Sequence, residues 1–299
     1  MINKNIKFNN YYKKLNLFSF ILVLCSIFIL FFKGLNLGVD FKGGTLIELR
    51  TDNSNIQISE IRSSFLRMNL GDVTVKKFGK INDYLVKIEL RKSDDNNFIN
   101  SIKTKLISDL GSEVNFRRVE NVGPKVSGEL LKAGLLAITL SLAAMLFYIW
   151  IRFEWQFSLG AIIALIHDVS ITIGIFSLLS YEINLSIVAA VLTIVGYSMN
   201  DTVVIFDRIR ENLKKYSKMT IIEISNQSTN ETLSRTLITS VTTLLALLAI
   251  YFFGGEILKG FSFAMIVGVI IGTYSSIFVA TPILNYTNVT QKTILKEEN

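Results

Sequence analysis

Apolar residues along this chain gather into long runs with short polar connectors, except between the first and second runs, where a long polar stretch intervenes. A membrane-crossing helix needs roughly 17 to 25 mostly apolar residues. Six runs qualify: Leu15 to Phe32, Leu130 to Ile151, Phe157 to Leu179, Leu185 to Phe206, Thr236 to Phe253 and Phe261 to Leu284. The pattern predicts a polytopic α-helical membrane protein with six transmembrane helices. Lys4, Lys7, Lys13 and Lys14 precede the first run as they would in a signal peptide. No small-residue cleavage site follows Phe31-Phe32-Lys33, so the run reads as an uncleaved anchor.

The intervening stretch mixes charges of both signs and shows shorter periodicities. Thr45 to Arg50 suits a strand. Ile58 to Met68 places Ile58, Ile61, Phe65 and Met68 at helical spacing. Val73 to Phe78 and Tyr84 to Leu90 read as strands around a turn at Gly79 to Asp83. Asp94 to Leu110 returns to helical spacing and stops at Gly111. Val114 to Val119 is a last strand. The predicted order β-α-β-β-α-β is the split, ferredoxin-like α+β motif. The expected organisation is an N-terminal segment 1–14, helix 1 at 15–33, this domain at 34–125, helices 2–6 over 126–284 with a basic loop at 207–235, and a tail 285–299.

Charge then sets orientation. Arg208, Arg210, Lys214, Lys215, Lys218 and Arg235 crowd the connection between the fourth and fifth runs, Arg152 lies in the second connection, and Lys292 and Lys296 lie in the tail. Lys and Arg mark the cytoplasmic side, so both termini are expected inside and the domain outside. The net charge of +7 follows from topology, and no nucleic-acid module is discernible. One cysteine, Cys25, excludes an intrachain disulfide, and one histidine without a cysteine cluster gives no support for a metal or other cofactor.

Several polar residues interrupt the apolar runs. A charge at the centre of a spanning helix costs at least roughly 2.5 to 3.5 kcal/mol and by default marks a pathway or relay. Asp201 shares a helical face with Thr193, Gly196, Tyr197 and Asn200. The fifth run carries Arg235, Thr239, Thr242, Thr243 and Ala246, and the third Ala161, Ala164, His167, Asp168 and Thr172. The sixth steps Gly260, Ala264, Gly268, Gly272 and Ser276 at every fourth residue, a spacing that lets backbones approach closely. Helices three to six are therefore expected to pack around a polar interior, with Asp168 and Asp201 as candidate proton carriers. Plainer roles compete: Ser and Thr bond the preceding turn, Arg235 snorkels from a helix end, and His167 is a hydrogen-bonded bundle residue. An intramembrane aspartyl protease would share a proton between Asp168 and Asp201, but its Gly-x-Gly-Asp signature is absent. Gly38, Gly43 and Gly44 suit either a bending junction or a simple turn.

GVDFKGG at Gly38 to Gly44, HDV at His167 to Val169, GYSMNDTVVIFDRIREN at Gly196 to Asn212 and LSRTLITSVTTLLALLAIYFFGG at Leu233 to Gly255 together resemble the SecD/SecF family of protein-export membrane proteins. That family is related to the resistance-nodulation-division transporters. The resemblance implies a non-enzymatic subunit of the bacterial inner membrane. It would pair with a SecD half and associate with the SecYEG channel, using the proton-motive force to help draw a translocating preprotein outward. It places Asp201 and Arg235 on the proton route, beside Asn200. The alternative is one half of a small-molecule or lipid exporter of the wider superfamily.

Overall fold

A computed structural model of the chain describes residues 6–79, 81–88, 96–287 and 289–291. Lys4, Leu90, Asp94, Lys292 and Lys296, used in the expectations above, lie outside the described residues. Two compact units emerge, one of Leu37–Leu135 and one of Met1–Asn36 with Leu136–Asn299.

After a 3-10 turn at Phe8–Tyr11, the first long helix is α1 (Tyr12–Lys33). In the Leu37–Leu135 unit follow β1 (Gly44–Thr51), α2 (Ile58–Arg67), β2 (Val73–Lys77), β3 (Asp83–Ile88), α3 (Asn96–Leu110) and β4 (Val114–Val122). The strands form one sheet in the order β2-β3-β1-β4, with every neighbouring pair antiparallel. Alternation along the strands puts Ile47, Leu49, Val75, Tyr84, Val86 and Ile88 on one buried face, where Ile61 and Phe65 of α2 and Ile102 and Leu106 of α3 complete the core. β4 runs three residues beyond its expected end because a sheet-edge strand tolerates polar side chains. Arg117 and Arg118 stay exposed while Gly44 still pairs with Val122. Register is reinforced where Arg50 and Asp83 face each other across β1 and β3, Nε to Oδ1 at 2.5 Å and Nη2 to Oδ2 at 2.7 Å. On the helical layer the Ser64 hydroxyl donates to Asp109 at 2.7 Å and, with Arg67 nearby, holds that carboxyl below the usual range.

The glycine-rich stretch was expected to be a turn or a bending junction. It contains one helical turn, Val39–Lys42, between Gly38 and Gly43. The Gly38 carbonyl accepts from Phe41 at 3.1 Å and Lys42 at 3.0 Å, and Val39 and Phe41 are buried. Gly43 (φ 77°) and Gly44 (φ 128°) occupy backbone conformations that side chains rarely permit.

Five more long helices follow: α4 (Pro124–Arg152), α5 (Trp155–Leu179), α6 (Leu185–Lys215), α7 (Ile221–Phe253) and α8 (Glu256–Ser275), the last continuing through a π-helical turn at Ser276–Ala280 into α9 (Thr281–Tyr286). Counting α8 with its continuation, six helical segments among the described residues are long and apolar enough to cross a membrane, and the protein is a multi-pass membrane protein. Half or more of the most apolar stretch of the α5, α6 and α8 segments is buried (50%, 50% and 56%), against 11%, 11% and 17% for α1, α4 and α7. The first three helices are the centre and the others the periphery.

The basic loop expected at 207–235 is corrected. Residues 207–215 belong to α6 and 221–235 to α7, so only 216–220 is non-helical. No Gly or Pro interrupts this stretch, and Thr220 with Glu223 forms a capping box that starts α7 fifteen residues before its apolar run. Charged neighbours stitch the extension together. Arg208 bonds Glu231 at 2.5 Å and Glu211 at 2.7 Å, Arg210 reaches the buried Glu154 at 3.0 Å, and Arg152 pairs with Asp207 at 2.8 Å.

The positive φ of Gly43 gives a stability prediction. Gly43→Ala should cost of order 1–3 kcal/mol, lowering the melting temperature of the full chain in detergent. Gly123→Ala, with negative φ and nothing within 4 Å of the added carbon, should leave it unchanged.

Candidate functional site

The site is built where α8 meets α6. Along the small-residue stripe, a Cβ at Gly260 would lie 3.2 Å from Ile187, one at Gly268 would overlap Ile194, and one at Gly272 would lie 3.0 Å from Ser198, while Ala264 is fully buried. The two backbones touch along this line because side chains are missing from it.

That proximity brings hydroxyls of α8 to two carboxylates. Asp201, 2% exposed, has Oδ2 3.4 Å from Thr273 Oγ1, and Thr273 in turn shares a 2.7 Å hydrogen bond with Ser240 of α7. Asp168 of α5, 0% exposed, accepts at Oδ2 from Ser198 of α6 at 2.5 Å and Ser275 of α8 at 2.8 Å, and its Oδ1 lies 2.8 Å from His167 Nδ1. Thr273 and Ser275 stand two residues apart, about 200° around the helix. The two carboxylates therefore meet α8 through different residues, and no hydrogen bond joins Asp168 to Asp201 among the described residues, as an aspartyl dyad sharing a proton would require.

The other expected members of the site are less enclosed. Arg235 is exposed and within electrostatic reach of Asp201, with no ion pair of 4.0 Å or less between them among the described residues. Its carbonyl accepts from Thr239, as that of Ile238 accepts from Thr242, the local bonding that such residues favour. Asn200 and Thr193 are exposed, and nothing lies within 4 Å of a Cβ at Gly196. The expectation of a polar interior lined by the stripes of the fourth and fifth runs, which lie on α6 and α7, is thus corrected for this chain. The face carrying Thr193, Gly196 and Asn200 points out of the bundle, and so does much of the Arg235, Thr242 and Ala246 stripe. The inward face of α7 is instead Thr236, Ser240 and Leu247, about 100° away from the expected one. Ser198, Ser240, Thr273 and Ser275, the hydroxyls that meet the carboxylates, were not singled out in the sequence. The spacing Thr236, Ser240, Thr243, Leu247 is the signal that could have found the α7 face. Gly38, Gly43 and Gly44 lie in the Leu37–Leu135 unit, in the turn described above.

Comparison with known proteins bears on what such an arrangement is for. Residues 102–290 match the family described as protein export membrane protein SecD/SecF, C-terminal, and residues 28–54 match the SecD/SecF GG motif. The chain belongs to the SecD/SecF family. Curated members similar to it include the protein translocase subunit SecF of Rickettsia bellii, 46% identical over 280 residues that cover 93% of this chain and 91% of the relative. The same subunit of Vibrio alginolyticus is 45% identical over 285 residues, covering 93% and 88%. Among solved structures, SecDF of Thermus thermophilus, described as a translocon-associated membrane protein, matches with a TM-score of 0.87 and 32% identity over 97% of this chain. SecDF in a super-membrane-facing form matches with a TM-score of 0.71 and 33% identity over 100% of this chain. This SecD/SecF family chain spans 40% of the length of each solved SecDF chain.

The glycine stripe makes the geometry testable. Gly268→Val should overpack the α6–α8 contact at a cost of about 1–3 kcal/mol, seen as reduced accumulation and an earlier thermal transition in detergent. Adding Ile194→Ala should recover much of the loss by making room for the new side chain.

Proposed function

We propose that this chain is the SecF-type subunit of the protein translocase in a bacterial inner membrane. It works with a SecD-like half beside the SecYEG channel and uses the proton-motive force to assist export of preproteins. Family membership and the printed names of the relatives support the translocation role. The solved SecDF chains are longer than this one by more than half their length, which supports a second half working beside the described residues. In this reading the basic ends of α6 and α7 and both termini lie in the cytoplasm. The Leu37–Leu135 unit, whose strand order and element order fit a ferredoxin-like arrangement, lies outside. The exposed apolar surfaces of α1 and α4 meet lipid.

The observation that carries the proposal is a nearly enclosed carboxylate, Asp201, on the border of an exposed polar face. Intramembrane polar groups are costly toward lipid and face a bundle interior or a water-filled path. Thr193, Asn200 and Arg235 are polar and exposed in this chain alone, so another helix layer is expected to cover them. Such a cover would enclose a proton route between the two halves. Deprotonated Asp201 attracts the guanidinium of Arg235; protonation removes that attraction and frees Arg235 to move. Each proton crossing delivers about 2.3 kcal/mol per 100 mV and about 1.4 kcal/mol per pH unit. This suffices to bias two conformations a few kcal/mol apart. The glycines at Gly38, Gly43 and Gly44 would then serve as the junction through which the change is passed outward.

Two measurements test this. In proteoliposomes holding the complete translocase, Asp201→Asn should reduce gradient-dependent export tenfold or more while leaving the export seen without a gradient; equal gradient dependence in both would sink the proton role. For the covered face, Asn200→Cys in a Cys25→Ser background should react readily with a small maleimide when the chain is expressed alone. Co-expression with the SecD half should protect it several-fold, and unchanged labelling would contradict the proposed interface.

A further inference from the structure

Three consecutive residues of α8 are committed to four different helices. Thr273 bonds Ser240 on α7 and approaches Asp201 on α6. The Tyr274 hydroxyl donates to the Leu15 carbonyl of α1 at 2.9 Å and bonds Ser19 at 2.9 Å, while its ring lies over the His167 imidazole of α5 with centroids 6.2 Å apart. Ser275 donates to Asp168, which also holds Ser198 of α6. Directly beyond, the regular ladder is interrupted by the π-helical turn Ser276–Ala280, and the Thr281 side-chain hydroxyl donates to the Ser276 carbonyl at 2.8 Å. Turns of this kind inside α-helices frequently accompany functional sites.

We infer that Asp168 is a positioning residue, an enclosed anchor that fixes the rotation and height of α8 against α5 and α6 and thereby sets where Thr273 stands relative to Asp201. The inference rests on the proton reading of Asp201 for its consequence, not for its geometry. A free relay must exchange its proton with successive partners. Asp168 instead has both oxygens engaged by three side chains on two neighbouring helices and its own, with no exposed surface. A single atom, Oδ2, receives a hydroxyl from each of α6 and α8, so displacing α8 along or around its axis breaks at least one of these bonds. Thr273 sits on the same turn as Ser275, so the displacement moves it from Asp201. His167 fixes the other oxygen and prevents the carboxylate from rotating away.

This role and a relay make opposite demands on chemistry. Asparagine keeps an acceptor oxygen for the two hydroxyls, and its amide can donate to the imidazole after a change of tautomer, but it cannot carry a proton through a cycle. The test places Ser240→Cys and Thr273→Cys in a Cys25→Ser background, in membranes containing the SecD half. Mild oxidation then reads the α7–α8 juxtaposition as disulfide yield. Asp168→Asn should keep the yield within twofold of the parent and, without the cysteine pair, keep gradient-dependent export within about threefold. Asp168→Ala should lower both by threefold or more. Where Asp168→Ala fails to accumulate, the milder Ser198→Ala plus Ser275→Ala combination should still lower the yield about twofold. An Asp168→Asn protein that cross-links normally but has lost all gradient dependence would overturn the anchor in favour of a relay. Unchanged cross-linking in Asp168→Ala, or in the serine pair, would overturn it outright. If parental export shows no gradient dependence, the proton reading fails, while the cross-linking yields still decide the anchor.

Discussion

The polar chemistry of this bundle depends on how closely α8 approaches α6. Between lipid-embedded helices there is little hydrophobic drive, and packing contacts and hydrogen bonds supply the attraction. Side chains absent at Gly268 and Gly272 let Ile194 and Ser198 lie against the α8 backbone, and only at that spacing do short hydroxyls such as Ser275 and Thr273 reach carboxylates on neighbouring helices. One added methyl at Gly268 meets Ile194 first. The glycines are therefore a precondition for the site.

Once the helices are that close, two acids are accommodated in different ways. Asp168 is saturated by short hydrogen bonds from Ser198, Ser275 and His167, and an unmade bond there would leave a buried polar group costing about 1–3 kcal/mol. Asp201 has Thr273 at 3.4 Å, long for a hydrogen bond to a carboxylate, with Ser240 and the charge of Arg235 also acting on it, and lies beside residues that face outward. An acid held tightly on every side suits a fixed structure. One that is weakly held at the rim of an open polar face suits a group whose partners change. The distinction lies in their surroundings, since the two residues are chemically the same.

How much of this was legible in the sequence follows from the range of each signal. The six spans were, because hydropathy integrates over some twenty residues and tolerates an isolated Asp. The strands and helices of the Leu37–Leu135 unit followed from period-two and period-3.6 alternation, with errors of a few residues where an edge strand no longer needs apolar positions. The helical ends of α6 and α7 were hidden because Lys, Arg, Glu and Asn suit both a loop and a solvated helix. Only the Thr220–Glu223 box betrays the true start. Motif resemblance picked out Asp201 and Arg235 but not Ser240, Thr273 or Ser275. Hydroxyl residues occur on several faces of these helices and bond their own backbone by default. Which of them turn inward is settled by tertiary packing.

Depth along the helices ties the outward face to the buried acid. At 1.5 Å per residue, Asp201 lies about 24 Å from the Leu185 end of α6, and Arg235 lies about 27 Å from the Phe253 end of α7. The connection between these helices sits at the opposite end, so the two groups lie at nearly the same level, toward the far side of a hydrocarbon layer about 30 Å thick. On the proposed orientation a proton arriving from outside has most of that layer behind it when it reaches Asp201. In the proposed reading Thr193, Gly196, Tyr197 and Asn200 would mark the way, at about 12, 17, 18 and 23 Å from the same end, along a face this chain leaves largely open. A half-bundle with such a stripe cannot by itself keep lipid out of the path. On the proposed reading a second half would meet a demand of solvation: without a cover, these polar side chains face hydrocarbon, and with one, they would line a route that ends at Asp201.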